Sequence, residues 1–260
     1  MTGAGPVTAQ QIRLVRQHPI WRDASDNGVR ALCASAEEIR LSPGDHVLRA
    51  GEPAAAIHLL VEGATRVYYP ARKDRAEITV KLFWAPAAFG DAESILRTQW
   101  AECVEALTPG RVLVTPAKKY FEIMRREPSV CFRQYWDVAR RFGVAIHSER
   151  QANLAELMDR TIAILVAYAL HFGRPEPRGT LIDYALTQDD IGKQVGANRR
   201  SIVTILGSLY KEGVLERRGR KFLVPSIERL LGSAESTPPN LSFRTEQLPW
   251  AEGPGAPAKP

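Results

Sequence analysis

Cysteine is scarce in this sequence, with three residues in 260. Cys33, Cys103 and Cys131 lie far apart and form no CxxC pair, so the spacing indicates neither a disulfide framework nor a zinc site. Free cysteine is often buried in protein cores. We therefore expect three reduced thiols, with no metal and no resident cofactor.

Long hydrophobic runs are also missing. The longest, Ile162–Leu170, is too short to cross a bilayer, and the opening segment MTGAGPVTAQQIRLVRQHP has no apolar core of signal-peptide length. These features predict a cytoplasmic protein without a membrane partner.

Enzyme motifs are absent as well. The sequence contains no P-loop, no Rossmann glycine pattern and no nucleophile elbow. His147-Ser148-Glu149 lacks the downstream Pro-Cys-x-x-Cys of zinc deaminases. We therefore expect no catalytic residues and no enzyme activity.

The composition, with 45% hydrophobic and 25% charged residues, suits a globular chain of one or two domains, and two are favoured. The formal net charge is +6. Between Thr187 and Val224 there are eight Lys/Arg against four acids, so +4 of that excess lies in one short stretch. A local basic patch favours a nucleic-acid partner over a general effect on solubility.

The first half of the chain has the pattern of an antiparallel β structure. Helical stretches at Thr8–Arg16 and Val29–Ala36 come first, and from Ile39 short apolar runs alternate with turn residues. Strands are predicted between these turns and at Glu77–Trp84, Cys103–Leu107 and Arg111–Thr115. Because no long helix separates them, they indicate a barrel or roll rather than a parallel sheet.

A long helix is predicted from Pro128 to about Asn153. Apolar residues recur along it at heptad spacing, with a central seam of Tyr135, Val138, Phe142 and Ala145. A seam of this length is typical of a helix that faces a partner, which predicts a homodimer. The alternative is that the stripe packs only on the barrel.

The C-terminal part begins with a predicted helix at Leu157–His171, followed by a predicted loop, GRPEPRGTLIDYA. The last predicted element is Ser226–Leu231. Beyond Gly232 the composition is rich in Pro, Gly, Ala and polar residues, so most of this tail is expected to be disordered. Its apolar residues could dock transiently: Phe243, Leu248 and Trp250.

A helix–turn–helix is predicted between these helices. Thr187 is a good N-cap, with Asp190 three residues on and Leu186 placed to pack on Ile191. Gly196 supplies a tight turn, and Gly192 allows the second helix to approach closely. A basic hairpin around Gly219 would form a wing.

Two adjacent arginines occupy the start of the second helix, which Asn198 caps. Cations there oppose the helix macrodipole, at a cost of about 0.3–1 kcal/mol each, so a negative partner is expected. In a helix–turn–helix this end enters the DNA major groove, where arginine pairs with guanine. The alternative is a surface helix whose arginines meet only solvent. The predicted DNA contacts are Thr187, Asn198, Arg199, Arg200, Ser201, Thr204, Arg218 and Lys221.

Several ordered motifs resemble the CRP/FNR family of bacterial transcription regulators. They are PGD…RAGEP…LLVEG, the phosphate-cassette-like FGDAESIL, ARRF in the long helix and LTQDDIGKQVGANRRSIVTIL, and they span about Ile39 to Leu231. The resemblance implies a cyclic-nucleotide-binding-like β-roll, a dimerising helix and a DNA-binding domain. The family's Arg-Glu-x-x-x-Arg recognition pattern is Arg199-Arg200-x-x-x-Thr204 here, so the common operator is not implied.

The effector residues of the family match poorly. Gly90-Asp91 corresponds to the Gly-Glu pair that holds the ribose, but the Arg-Ser phosphate clamp falls at Trp100-Ala101 and the purine-binding Thr-Ser pair at Ala145-Ile146. Arg97, Arg66 or Arg111 could replace the clamp, and each could equally be a solvated residue. The N-terminal cysteine cluster of the family's iron–sulfur members is also absent. The candidate pocket comprises Phe89, Gly90, Asp91, Arg97, Trp100, Phe142 and Ile146.

The sequence thus predicts an α+β protein with four segments: helices and an antiparallel β-roll at 1–127, a dimerisation helix at 128–156, a winged helix–turn–helix at 157–232 and a tail at 233–260. We expect a dimeric, sequence-specific regulator of double-stranded DNA, with RNA polymerase as a partner if it activates and with a pocket unsuited to cyclic AMP. The alternative is a signalling protein that depends on a cyclic nucleotide or another small ligand.

Overall fold

The computed structural model of the chain describes residues 7–71, 77–154, 156–234 and 242–243. In the first half, the elements are α1 (Ala9–Gln17), α2 (Asp26–Ser35), β1 (Glu37–Leu41), β2 (His46–Leu48), β3 (Ala56–Glu62), β4 (Ala64–Tyr69), β5 (Ile78–Trp84), β6 (Ala87–Phe89), α3 (Asp91–Leu96), β7 (Cys103–Ala106), β8 (Gly110–Pro116) and α4 (Ala117–Met124). The second half contains α5 (Pro128–Leu154), α6 (Leu157–Phe172), β9 (Gly173–Glu176), β10 (Gly179–Ile182), α7 (Gln188–Val195), α8 (Arg199–Lys211), β11 (Glu216–Arg218), β12 (Lys221–Val224), α9 (Ile227–Gly232) and β13 (Ser242–Phe243).

The chain forms two compact units. The first contains the described residues up to Thr65 and Phe83–Arg141, together with Phe243; the second contains those of Arg66–Leu82 and Phe142–Ser242. The division therefore cuts α5 and places the hairpin of β4 and β5 mostly in the second unit. The four predicted segments remain a proposal.

Antiparallel sheets dominate the first half, which confirms the predicted α+β class. One sheet has the order β1-β8-β3-β6, and the other has the order β13-β5-β4-β7-β2. β1 pairs with β8 from Glu37 opposite Val114 to Leu41 opposite Gly110. The predicted turn after Leu41 is present, with the Ser42 backbone N–H donating to Asp45 Oδ2 at 2.7 Å.

The core of the first unit joins the N-terminal helices to this sheet. Trp21, Leu32, Ile57, Leu113 and Tyr120 are fully buried in it. Trp21 and Tyr120 meet edge to face at 5.5 Å, and the Trp21 indole N–H donates to the Tyr120 hydroxyl at 3.2 Å. Aromatic residues at this junction therefore fix α1, α2 and α4 on the sheet. All three cysteines are free; Cys33 and Cys103 are buried and Cys131 is exposed.

The loop predicted after α6 is wrong, because GRPEPRGTLIDYA contains the hairpin of β9 and β10. These strands belong to a sheet of order β11-β12-β10-β9. Leu181 lies opposite Leu223, and Leu181 and Ile182 are buried. The residues Gly173, Pro175 and Gly179 indicated a loop, but β10 pairs with the neighbouring β9 over four residues and also with β12, about forty residues further along the chain.

The other predicted helices of the second half are present. Residues Leu157–Phe172 form α6, whose Ile162, Leu165 and Tyr168 are buried, and Ser226 caps α9. No helix in the described ranges is long and apolar enough to cross a membrane. The prediction of a disordered tail concerns residues that lie mostly outside the described ones, as do Leu248 and Trp250, while Phe243 belongs to β13.

Candidate DNA interface and effector pocket

The start of α7 is fixed by reciprocal hydrogen bonds, as the sequence predicts. Thr187 Oγ1 accepts from the Asp190 backbone N–H at 3.1 Å, and Asp190 Oδ2 accepts from the Thr187 backbone N–H at 2.9 Å. Aspartate thus replaces the usual glutamate of a capping box. The Thr187 hydroxyl also donates to Asp190, at 2.6 Å, so this side chain already has a structural role.

The turn between α7 and α8 brings the backbones of the two elements close together. Gly196 has a left-handed backbone with φ +71°. A Cβ atom added to Gly192 would lie 2.6 Å from the Ala197 carbonyl oxygen, which is closer than van der Waals contact. Ile191 and Ile202 are fully buried beside this turn. The two short helices therefore pack as the sequence predicts, with glycine required where they meet.

The cap of α8 places both arginines in its first turn. Asn198 Oδ1 accepts from the Ser201 backbone N–H at 3.0 Å and from the Ser201 hydroxyl at 3.2 Å. Arg199 is the first helical residue, and the first turn contains no acidic side chain. The electrostatic cost predicted from the sequence is therefore present in the folded chain.

Both arginines are exposed, but their surroundings differ. The Arg199 Nε–H donates to Gln188 Oε1 at 3.3 Å, which orients the side chain and leaves its terminal nitrogens for a ligand. The Arg200 guanidinium forms no hydrogen bond or ion pair with any residue in the described part of the chain. Sequence reasoning missed Gln188, whose role depends on the distance between two helices.

The wing has the predicted hairpin form, with Arg218 opposite Lys221. Lys221 forms an ion pair with Asp183, and its hydrogen bond lowers the pKa of that carboxyl. Arg218 lies 3.8 Å from Glu216. These two predicted DNA contacts are thus partly neutralised by neighbouring acids in the free protein.

A groove of about 510 Å³ lies between the wing and the helix–turn–helix. Its charged lining comprises one acid, Asp189, and four cations. The cations are Arg199, Arg217, Arg220 and Lys221. Arg217 and Arg220 were not among the predicted contacts, although the basic pattern of the wing contains both. Such a surface suits the phosphates of a nucleic-acid backbone.

The acid of the cassette is buried and already has partners. Gly90 begins α3 in a left-handed conformation, and Asp91 is 3% exposed. Asp91 Oδ2 accepts from Gln134 Nε2 at 2.7 Å and from the Arg141 guanidinium. The carboxylate therefore bonds to α5, within the first unit.

A chain of hydrogen bonds extends from this pair in both directions. Tyr120 donates to Gln134 Oε1 at 2.7 Å, and Arg141 Nε donates to Asp137 Oδ2 at 2.8 Å. Burial opposes the charge of Arg141, but the carboxylates of Asp91 and Asp137 raise its pKa. Arg141 thus stays charged and holds both acids.

Aromatic rings surround Trp100, the residue that the resemblance aligns with the family's phosphate clamp. Trp100 is 6% exposed, and its ring lies 5.9 Å from that of His58, which stacks on Phe89 at 5.4 Å. A Cβ atom on Gly90 would be 2.8 Å from Trp100 Cη2. The rings of this chain therefore pack directly against the cassette backbone.

The arginines considered as replacement clamps lie elsewhere or are paired. Arg97 is exposed at the C-terminal end of α3, with φ +55°. Arg66 pairs with Glu77 at 2.5 Å. Arg111 pairs with Glu62, and with Glu38 at 3.5 Å. A role for Arg97 in the pocket remains a prediction.

Apolar side chains of α5 face solvent in the single chain. Tyr135 is 71% exposed, Phe142 66% and Val138 37%. Tyr135 and Phe142 are therefore largely exposed to solvent, and packing of the stripe on a partner helix remains a proposal. The side chains of Ala145 and Ile146 lie outside the described part, so their predicted roles are not assessed.

Acid is expected to destabilise the protein through His58. Burial lowers the pKa of His58 to about 4, against an ordinary value near 6.5, so the unfolded chain takes up the proton first as the pH falls. The stability is intact above pH 6.5, and up to about 3 kcal/mol from this group is lost by pH 4. Urea denaturation at pH 7.5 and 4.5 should show a smaller loss for His58→Phe than for the wild type. Equal losses would contradict the assignment.

The antiparallel roll, the long helix and the winged helix–turn–helix define a DNA-binding regulator. Family profiles match in both halves: the Cyclic nucleotide-binding domain at residues 38–127 and the Crp-like helix-turn-helix domain at residues 159–232. The chain belongs to the CRP/FNR family of transcription regulators. It is therefore a regulator and not an enzyme.

Curated relatives and solved structures agree with this assignment. The chain is 24% identical over 179 residues to the Global nitrogen regulator of Synechocystis sp., covering 67% of this chain and 78% of that protein. It is 19% identical to the CRP-like cAMP-activated global transcriptional regulator of Mycobacterium tuberculosis, covering 81% and 94%. The c-di-GMP responsive global regulator CLP of Xanthomonas campestris superposes with a TM-score of 0.66 at 15% identity, covering 77% and 99%, which shows a shared fold.

Proposed function

We propose that this protein is a homodimer that binds a roughly palindromic duplex DNA site through two winged helices. The observation that carries this proposal is the exposed first turn of α8, where Arg199 and Arg200 lie side by side without an acid in the turn. DNA supplies the negative partner that this helix end lacks. Contact with RNA polymerase is expected if the protein activates transcription.

The two arginines and the groove would have different tasks. Guanine offers O6 and N7 to an arginine fork in the major groove, so Arg199 and Arg200 would read bases. The other groove cations, Arg217, Arg220 and Lys221, would bind phosphates, which position the protein without reading sequence. Gln188 supports this division because it holds Arg199 by Nε and leaves the terminal nitrogens available.

Dimerisation through α5 completes the proposal. The exposed Tyr135, Val138 and Phe142 form an apolar stripe of a kind that monomers rarely leave in water. The proposed segments are the roll at 1–127, the dimerisation helix at 128–156, the winged helix–turn–helix at 157–232 and the tail at 233–260.

The roll, in this proposal, does not bind cyclic AMP, and DNA binding does not depend on it. Two observations support this view: Trp100 is buried, and Asp91 already accepts a hydrogen bond from Gln134. One relative is a cAMP-activated regulator and one structural neighbour is a c-di-GMP responsive regulator, so membership of the family does not define the ligand.

Base readout by the arginines can be tested by alanine substitution. We expect Arg199→Ala and Arg200→Ala each to weaken specific binding by about 1–3 kcal/mol and to relax base preference, because each loses a fork that pairs with guanine. Lys221→Ala should lower the affinity for all DNA sequences by a similar factor. Binding-site selection followed by fluorescence anisotropy on selected and scrambled duplexes measures both effects.

Arg22→Ala is the matched control, since it removes one charge from an exposed arginine of the first unit. It should leave both affinity and preference unchanged. If both arginine variants of α8 keep the wild-type base preference, neither residue reads bases.

A further inference from the structure

One side chain on the outward face of α8 has no structural explanation in the free protein. Val203 is 46% exposed, whereas Ile202, Leu206 and Leu209 on the same helix are at most 1% exposed. A β-branched residue at an exposed helical position lowers helix propensity slightly and removes no apolar surface from water. A partner that covers Val203 would remove this apolar surface from water.

Its neighbours identify the covering surface. Arg200 and Arg199 precede Val203 by three and four residues, and side chains at this spacing lie side by side on a helix. Val203 thus shares the face proposed above to enter the major groove. An occupant that carries phosphates and bases fits the two arginines by charge.

The part of α8 that follows the two arginines, Val203 and Thr204, is less polar than the amino-acid sequence indicates. The Thr204 hydroxyl donates to the Arg200 carbonyl oxygen at 3.2 Å, so its proton is used within the helix. Val203 offers only methyl groups. This part of α8 therefore suits an apolar feature of a base pair rather than a hydrogen-bonding edge.

In the major groove, the apolar feature that a base pair presents is the C5 methyl group of thymine. We propose that Val203 contacts such a methyl group, in a thymine within one or two base pairs of the guanine that Arg199 or Arg200 reads. Three residues of helix rise about 4.5 Å, close to the 3.4 Å step of stacked bases. This inference rests on the proposed DNA-binding function and adds a specificity-determining residue to it.

Deoxyuridine gives a direct test, because it pairs like thymidine and lacks only the methyl group. Each thymine of the selected operator half-site is replaced in turn, and the affinity is measured for the wild type, Val203→Ala and Leu170→Ala. Leu170 is the matched control: it is an aliphatic residue of similar exposure, 44%, on α6.

We expect one thymine per half-site at which replacement by deoxyuridine lowers the operator affinity of the wild type about fourfold. This factor corresponds to the free energy of burying one methylene-sized group. Val203→Ala should bind the thymine operator about as weakly as the wild type binds the deoxyuridine operator. It should no longer distinguish thymine from uracil at that position. Leu170→Ala should keep the wild-type discrimination. Since Val203 is exposed, its variant should fold normally, and circular dichroism checks this.

The proposal is overturned if deoxyuridine is tolerated at every position, if the selected half-site has no thymine near the guanine, or if Val203→Ala keeps the full discrimination. These results leave the DNA-binding function intact, provided that a site is selected and the arginine variants lose preference. Failure of the wild type to select any sequence would overturn both proposals.

Discussion

Phe142→Asp is expected to convert the protein from a dimer to a monomer and to lower its affinity for a palindromic operator about 10²–10⁴-fold. Phe142 is 66% exposed, so the substitution does not disturb the core of the single chain. A carboxylate there would be buried against an apolar seam on dimerisation, without a partner charge. A monomer engages one half-site, whereas the dimer engages two that lie about 34 Å apart.

Sedimentation velocity at micromolar concentration and operator titration measure the two effects. Phe142→Leu keeps an apolar side chain at the seam and should remain dimeric. Leu170→Asp places the same charge at another exposed apolar position, outside α5, and should also remain dimeric. A wild-type protein that is monomeric and still binds the palindrome tightly would refute the dimer.

The second large effect concerns the roll, where we expect no binding of cyclic AMP or cyclic GMP with a Kd below about 10 μM. A cyclic phosphate buried in this pocket needs a matching cation, and an unpaired buried anion costs several kcal/mol. The clamp position holds Trp100, which is 6% exposed. Asp91, which would meet the ribose, already accepts bonds from Gln134 and Arg141.

Calorimetric titration with each nucleotide tests this expectation. Thermal unfolding provides a second measurement, because a ligand at 100 times its Kd stabilises the folded state by about 2.7 kcal/mol. We expect no shift in Tm with 1 mM nucleotide. A Kd below 10 μM for either compound, with a matching rise in Tm, would show that the cassette binds nucleotides after all.

Local signals explain which parts of the DNA interface could be predicted from the sequence. Thr187 and Asp190 are three residues apart, and Asn198 caps the helix that directly follows it. Such pairs can be predicted from their spacing along the sequence alone. By contrast, the support of Arg199 by Gln188 depends on how two helices cross, and sequence spacing does not give that angle.

The pocket was harder to predict because its contacts are distant along the chain. The resemblance to the family assigned Asp91 to the cassette, but its partners Gln134 and Arg141 lie 43 and 50 residues away along the chain. The packing of Trp100 over Gly90 likewise depends on the path of the backbone between them. The β9–β10 hairpin was missed for a different reason: its glycine and proline residues indicated a loop, although four residue pairs join the two neighbouring strands.

The hydrogen-bond chain from Trp21 through Tyr120 and Gln134 to Asp91 has a consequence for how this pocket can change. Residues in one network do not contribute independently, so the effect of each substitution depends on which partners are still present. Removing Arg141 alone would leave two buried acids, Asp91 and Asp137, without their shared cation. If the roll does not bind cyclic nucleotides, as proposed, binding could be introduced only by coordinated changes on β6, α3 and α5 and not by a single replacement at Trp100. The packed rings of Trp100, His58 and Phe89 and the Asp91–Arg141 ion pair would together oppose such a change.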